Sequence, residues 1–249
     1  ARQWREHGVE PDFALSKGEL GTLPDRYPGA EIVQVDDDRG QELAARLAGR
    51  KFMTPAEFME SLGYPQTYSQ VTAPRMVDLC REALLELLNL PLDQAVAMLS
   101  TPGRQVAVAG NGGSAAIASH FAADLRRVGV RAWCLTDSPA MLTGLADDVG
   151  YPHALAEQLR VLNGGDVFVA ISASGNSSNL VHAARVAQER GAFVLAITGF
   201  GGGLLKREST YCLALSSTDY EVVEGVHDCL CHILKSLLRE GRRGQSPQL

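Results

Sequence analysis

His120 and Asp124 fall four residues apart in an Ala-rich stretch, GNGGSAAIASHFAADL, and so share one face of the helix that this stretch predicts. Near the other end of the chain, Glu221, Glu224, Asp228 and His232 lie within about 80° of arc at 3.6 residues per turn. The opposite side of that second helix carries an apolar stripe of Val222, Val226, Leu230, Ile233 and Leu237. Two imidazoles and two carboxylates brought together would make a zinc site, or an acid and base for moving protons. A polar helix face is also what plain solvation produces, and no tight Cys/His signature marks a metal here.

Two loops offer a different chemistry. Gln105–Ala109 (QVAVA) runs into Gly110-Asn111-Gly112-Gly113-Ser114, where glycines let a ligand approach the backbone and a helix N-terminus presents free N–H groups. Ser114 is expected at the cap, with its hydroxyl open to a phosphate oxygen. The run DVFVAI leads into Ser172-Ala173-Ser174-Gly175-Asn176-Ser177-Ser178, four hydroxyls around one Gly-Asn turn. Serine and asparagine are ordinary turn residues. Two such loops after two strands nevertheless suit an anion held by hydroxyls and N–H groups, without Lys or Arg.

These residues need elements to hold them. The runs Gln105–Ala109, Val130–Leu135, Asp166–Ile171, Phe193–Thr198 and Tyr211–Leu215 read as strands, alternating with helices, the last from about Glu221 to Arg239. Near-continuous apolar strands between helices imply an α/β, doubly wound parallel sheet with helices on both faces, whose ligands bind at the carboxyl ends of the strands. Ahead of it, Ala73–Ser100 reads as a long helix with Val77, Cys80, Leu84 and Leu87 on one stripe, kinked or split by Pro91. So apolar a helix packs either on a partner or within the core.

The GNGGSAAIASHFAADL stretch, the SASGNSSN loop, LAITGFGGG and the His-bearing last helix together resemble the sugar isomerase (SIS) domain family, in its phosphoheptose isomerase group, over residues 70–240. The resemblance implies an aldose–ketose isomerase that converts sedoheptulose 7-phosphate to a heptose 7-phosphate, usually with zinc. It also implies a homotetramer with sites formed between subunits. Carried over residue by residue, His120, Asp124, Glu224 and His232 would be the metal ligands, with Asp124 and His232 as the acid/base pair. Ser114, Ser172, Ser174 and Ser177 would hold the phosphate beside Gly112 and Gly113, with Asn111 and Asp137 near the sugar.

Three departures stand out. Asp124 is one methylene shorter than the family's Glu, Glu224 replaces a neutral Gln, and Ala173 stands where a Thr is usual. A misplacement of about 1 Å can cost orders of magnitude in rate. The alternative is a non-catalytic module of the DiaA-like kind that binds a sugar phosphate or docks a partner. That branch lacks a His at position 232, so His232 favours an enzyme. His7, His153, His182 and His227 are read as structural.

Residues 1–65 lie outside the resemblance and are expected to form a small α/β appendage, with residues 66–249 as the SIS domain. Strands are expected at Asp12–Leu15 and Glu31–Val35, and helices at Arg39–Leu47 and Pro55–Leu62. Lys17 and the Asp36-Asp37-Asp38 run resemble the second half of a haloacid-dehalogenase-type phosphatase, where a Lys steadies phosphoryl charge and acids hold Mg²⁺. The nucleophile-bearing half is absent, so a remnant inert in phosphoryl transfer is expected; an Asp-rich loop on a packing appendage is the plainer alternative. The leading Ala is read as a sign of a processed or trimmed chain.

Composition sets the outer limits. The 249 residues are 45% hydrophobic and carry a net charge of −6, which suits a sizeable core and argues against nucleic-acid or anionic-membrane partners. Eight basic and twelve acidic residues fall in 1–65, so only two of the six net negative charges burden the domain expected to bind an anion. Five scattered cysteines are no disulfide framework and imply a reducing, cytoplasmic setting. No apolar run reaches the roughly 18 residues of a membrane span.

Overall fold

The computed structural model describes residues 72–243. The strands and helices expected in 1–65, with Lys17 and Asp36–Asp38, lie outside the described residues. Within them five strands form one parallel sheet: β1 (Gln105–Ala109), β2 (Arg131–Cys134), β3 (Val167–Ser172), β4 (Phe193–Thr198) and β5 (Tyr211–Ala214), in the order β2-β1-β3-β4-β5. Every residue of β3 is buried, as are all but the first of β1 and β4. That is the burial of a sheet covered on both faces.

Strand alternation sorts the core into two layers. Val106, Val108, Val167, Val169, Ile171, Leu195 and Ile197 point to one face. They pack under α1 (Ala73–Glu86), α2 (Leu92–Ser100), α3 (Gly113–Arg127) and the last helix, α7 (Tyr220–Arg243). Ala107, Ala109, Phe168, Ala170, Val194 and Ala196 point to the other, under α5 (Tyr151–Gln158) and α6 (Ser178–Glu189). A further helix, α4 (Pro139–Val149), follows β2. Because β1 has β2 on one side and β3 on the other, the strand order reverses between β1 and β3. In open α/β sheets that switch point is where ligands bind, and the two loops of interest leave these two strands.

Three expectations need correction. β3 begins at Val167 rather than Asp166, because the Asp166 carboxylate accepts from the Gln105 N–H at 2.8 Å and the Asn163 N–H at 2.9 Å and closes the preceding turn. The helix over Ala73–Ser100 splits at Pro91 as expected, with a 3₁₀ turn at Leu87–Asn89 and a 70° bend before α2, of which Pro91 is the N-cap residue. Its apolar stripe, however, is displaced. Ala83 and Leu87 are buried and Met76, Leu79 and Cys80 half-buried against the core, whereas Val77 is 65% exposed and Leu88 81%. Thus α1 serves the core on one face and leaves apolar side chains on the other.

The stripe on α7 shifts in the same way. Val222, Val226 and Leu230 are buried as expected, but Leu237 is exposed, while Val223, His227, Leu234 and Leu238 are buried. The helix is embedded over a wider arc than its sequence suggested. Among the described residues no single helix is long and apolar enough to cross a membrane.

Candidate active site

The loop after β1 turns through Gly112, whose φ of +53° favours glycine, and α3 starts at Gly113. Ser114 is therefore buried in the first turn of the helix and is not its cap. A Cβ on Gly113 would collide with the Glu224 carboxylate, which packs against this end of α3. There Glu224 faces the positive end of the helix dipole. That leaves the second loop as the freer anion cradle.

In the second loop Ser172 is the last residue of β3, in register with Thr198. Its Oγ accepts from the Gly175 N–H at 3.1 Å and lies 3.4 Å from Ser177 Oγ. Ser174 Oγ accepts from the Asn176 N–H at 3.2 Å, and Ser177 is the N-cap residue of α6. Two hydroxyls thus brace the turn as acceptors; Ser174 keeps its proton for a ligand, and either Ser172 or Ser177 can donate across their shared contact. At Gly175, φ is +67° and a Cβ would meet the Gly202 carbonyl, so the loop closes only with glycine there.

The two loops are joined directly. Asn111 Nδ2 donates to Asn179 Oδ1 at 2.9 Å, and Asn179 Nδ2 returns a bond to Asn111 Oδ1 at 2.8 Å. Tyr151 O–H donates to the same Asn111 oxygen at 2.8 Å. Asp137 is exposed after β2, one residue before the Ser138 cap of α4. Tyr151 and Asn179 were not singled out from sequence, although Asn179 is the last residue of the SASGNSSN run.

Further along α3, a second cluster forms. His120, Asp124 and His232 each place a donor atom within 4.8 Å of the other two. Asp124 Oδ2 is 3.3 Å from His232 Nδ1 and 3.9 Å from His120 Nε2, and the two rings meet edge to face at 5.0 Å. Asp124 is buried, while both imidazoles are about half exposed. Asp228 lies on their other side, 3.8 Å from His120 Nδ1 and 3.8 Å from His232 Nε2. Both contacts are within ion-pair range of a protonated ring and beyond hydrogen-bond length.

Glu224 does not join this set. It stands eight residues before His232, about 12 Å along α7 at 1.5 Å per residue, beside Gly113. The helices run side by side in the same direction, so that Gly113 faces Glu224 while Asp124 faces His232 and Lys235. Lys235 Nζ donates to Asp124 Oδ1 at 2.6 Å. Burial would raise the Asp124 carboxyl, but Lys235, with His120 and His232, outweighs it and holds the group below its ordinary value. Lys235 was missed from sequence, although at 100° per residue it falls inside the arc of Glu224, Asp228 and His232.

A tetrahedral zinc ion with ligands at about 2.05 Å needs donors about 3.3 Å apart. The separations of 3.3 and 3.9 Å from Asp124 Oδ2 approach that span and all three donor atoms lie within 4.8 Å of one another, so two nitrogens and one carboxylate oxygen would close on such an ion by small side-chain shifts. Of the histidines read as structural, His7 lies outside the described residues, and the other three stand apart from the cluster. His227 is fully buried beside the Thr198 backbone, and burial pushes its pKa down to about 4. His153 and His182, to which sequence assigned no partner, stack on each other at 4.8 Å.

A five-stranded parallel sheet with glycine and serine loops at its switch point defines a domain of the SIS type, and the SIS-domain profile matches residues 76–199. Phosphoheptose isomerase from Aneurinibacillus thermoaerophilus is 35% identical over 170 residues, 65% of this chain and 85% of that one. The enzyme of the same name from Helicobacter pylori (strain P12) is 36% identical over 160 residues, 61% of this chain and 83% of that one. The solved phosphoheptose isomerase of Neisseria gonorrhoeae superimposes with a TM-score of 0.61 at 32% identity, covering 66% of this chain and 94% of that one. The chain belongs to the phosphoheptose isomerase family of SIS-domain proteins.

Proposed function

We propose that this chain is a phosphoheptose isomerase, an enzyme that converts sedoheptulose 7-phosphate to a heptose 7-phosphate by moving a proton between adjacent carbons. The observation that carries the reading is the convergence of His120, Asp124 and His232 in a chain 35% identical to named phosphoheptose isomerases. The hydroxyls of Ser172, Ser174 and Ser177, with Ser114 and the first N–H groups of α6, bind the phosphate. Gly112 and Gly113 let the substrate approach the backbone, and Asn111 and Asp137 address the sugar hydroxyls.

His232 takes and returns the migrating proton, as an exposed imidazole suits. Asp124, held ionised by Lys235, orients that ring from 3.3 Å and shares the proton-transfer role. His120, Asp124 and His232 would hold a zinc ion, which supplies a Lewis acid for the sugar carbonyl when bound. Glu224 is kept as a ligand only in an assembly that brings it to such a cluster. The working unit is a homotetramer in the cytoplasm. The exposed apolar side chains of α1 (Val77, Leu84, Leu85) and of the 3₁₀ turn after it (Leu88) support a covering second copy, and unpaired cysteines support a reducing setting.

The test is turnover of sedoheptulose 7-phosphate by the purified chain, zinc-loaded and after chelation. Isomerised product that disappears on chelation is the expected result. Sugar-phosphate binding without product under either condition would instead give the non-catalytic reading.

A further inference from the structure

Asp124 is a short carboxylate that must aim one oxygen between His120, one turn back on α3, and His232 on α7. Nothing in an Asp side chain distinguishes its two oxygens, and its terminal torsion is broad. In this structure the two differ. Oδ2 faces His232 and His120, whereas Oδ1 is taken by Lys235 at 2.6 Å. Asp124 is buried, with its side chain only 5% exposed, so bulk water is poorly placed to substitute for that donor. Lys235 is 21% exposed and three residues after His232. One turn of α7 therefore delivers both the imidazole on one carboxylate oxygen and the ammonium on the other.

We infer that Lys235 is a positioning residue, holding Asp124 with Oδ2 toward the imidazoles as a one-oxygen ligand for a divalent cation. The inference rests on the metal-site reading above and deepens it. An ammonium beside a divalent ion would ordinarily repel it, but here its charge is already set against the outer carboxylate oxygen. Donors to the outer oxygen of a ligating carboxylate commonly raise metal affinity by fixing its orientation. The ammonium also gives the shortened carboxylate a fixed anchor on α7, the helix that carries His232.

The experiment is Zn²⁺ affinity of the full chain, by competition with a chromophoric chelator, for the unaltered protein, Lys235→Met and Lys235→Arg. Circular dichroism and thermal melting check that each is folded. Lys235→Met is expected to bind Zn²⁺ about 10- to 100-fold more weakly, with Lys235→Arg restoring most of the loss. Turnover should show a fall in kcat with KM little changed, because the serine loops are untouched. Lys235→Gln, which keeps a neutral donor, replaces the Met variant if that fails to fold. Zn²⁺ binding by Lys235→Met as tight as, or tighter than, that of the unaltered chain would overturn the inference. So would an unaltered chain with no Zn²⁺ affinity. A Lys235-dependent zinc site in a chain without turnover would sustain the inference and sink the isomerase reading.

Discussion

The serine loops and the imidazole cluster are built on opposite plans. The loops at the β1/β3 switch point use neutral hydroxyls, amides and glycines, braced by their own backbone and tied together by Asn111 and Asn179. The cluster, roughly 10 Å along α3, uses charged and titratable groups on two helices whose residues are more than a hundred positions apart. Turn geometry holds the first rigidly wherever the sheet forms. The second exists only if α3 and α7 pack in the right register. On the proposed function, binding an anion and moving a proton fall to regions with different structural dependence, and substitutions should separate them.

His232→Ala removes the proposed proton carrier, together with one of the three proposed metal ligands, and leaves both loops intact. It is expected to lower kcat about 10²- to 10⁴-fold with KM changed little, measured by steady-state kinetics. A parallel rise in KM would mean that the two regions are not separable. Gly175→Ala attacks the other region, forcing a Cβ against the Gly202 carbonyl at a φ of +67°. A loss of about 2–4 kcal/mol in denaturant unfolding is expected, together with weakened phosphate binding.

His227 sharpens the contrast between buried and exposed imidazoles on one helix. Its folded pKa of about 4 lies below the ordinary 6.5, so the unfolded chain binds its proton first as pH falls. Its contribution is complete above pH 6.5 and is lost as pH drops toward 4, by up to about 3 kcal/mol. Unfolding at pH 7 and pH 4.5 should show that loss, and His227→Leu should reduce it. Asn179→Ala is the mildest change. It cuts the amide bridge between the loops and is expected to cost about 1–2 kcal/mol and raise KM more than it lowers kcat.

The loops were legible in the sequence because each is a contiguous run read against one strand end. QVAVA-GNGGS and DVFVAI-SASGNSS carry both the strand and its turn. His120, Asp124 and His232 were legible for a different reason, through helical spacing and family resemblance. Sequence could not show which polar residues of α7 face α3, because an arc of about 80° contains Glu224, Asp228, His232 and Lys235 alike. Packing chose among them by height along the helix, sending Glu224 to Gly113 and Lys235 to Asp124. The stripes on α1 and α7 were misplaced for a related reason: apolar periodicity does not say how far a helix sinks into the core. Val77 and Leu237 stand exposed on helices whose neighbouring turns are buried.

The central claim is that a proton is carried between two carbons of a heptose phosphate by a side chain of the imidazole cluster. Incubating the zinc-loaded chain with sedoheptulose 7-phosphate in D₂O, followed by proton NMR, tests it most directly. Appearance of the aldose 7-phosphate with solvent deuterium at the carbon beside the aldehyde, abolished in His232→Ala, is the predicted result. An unchanged ketose spectrum, or equal conversion by His232→Ala, would contradict the account.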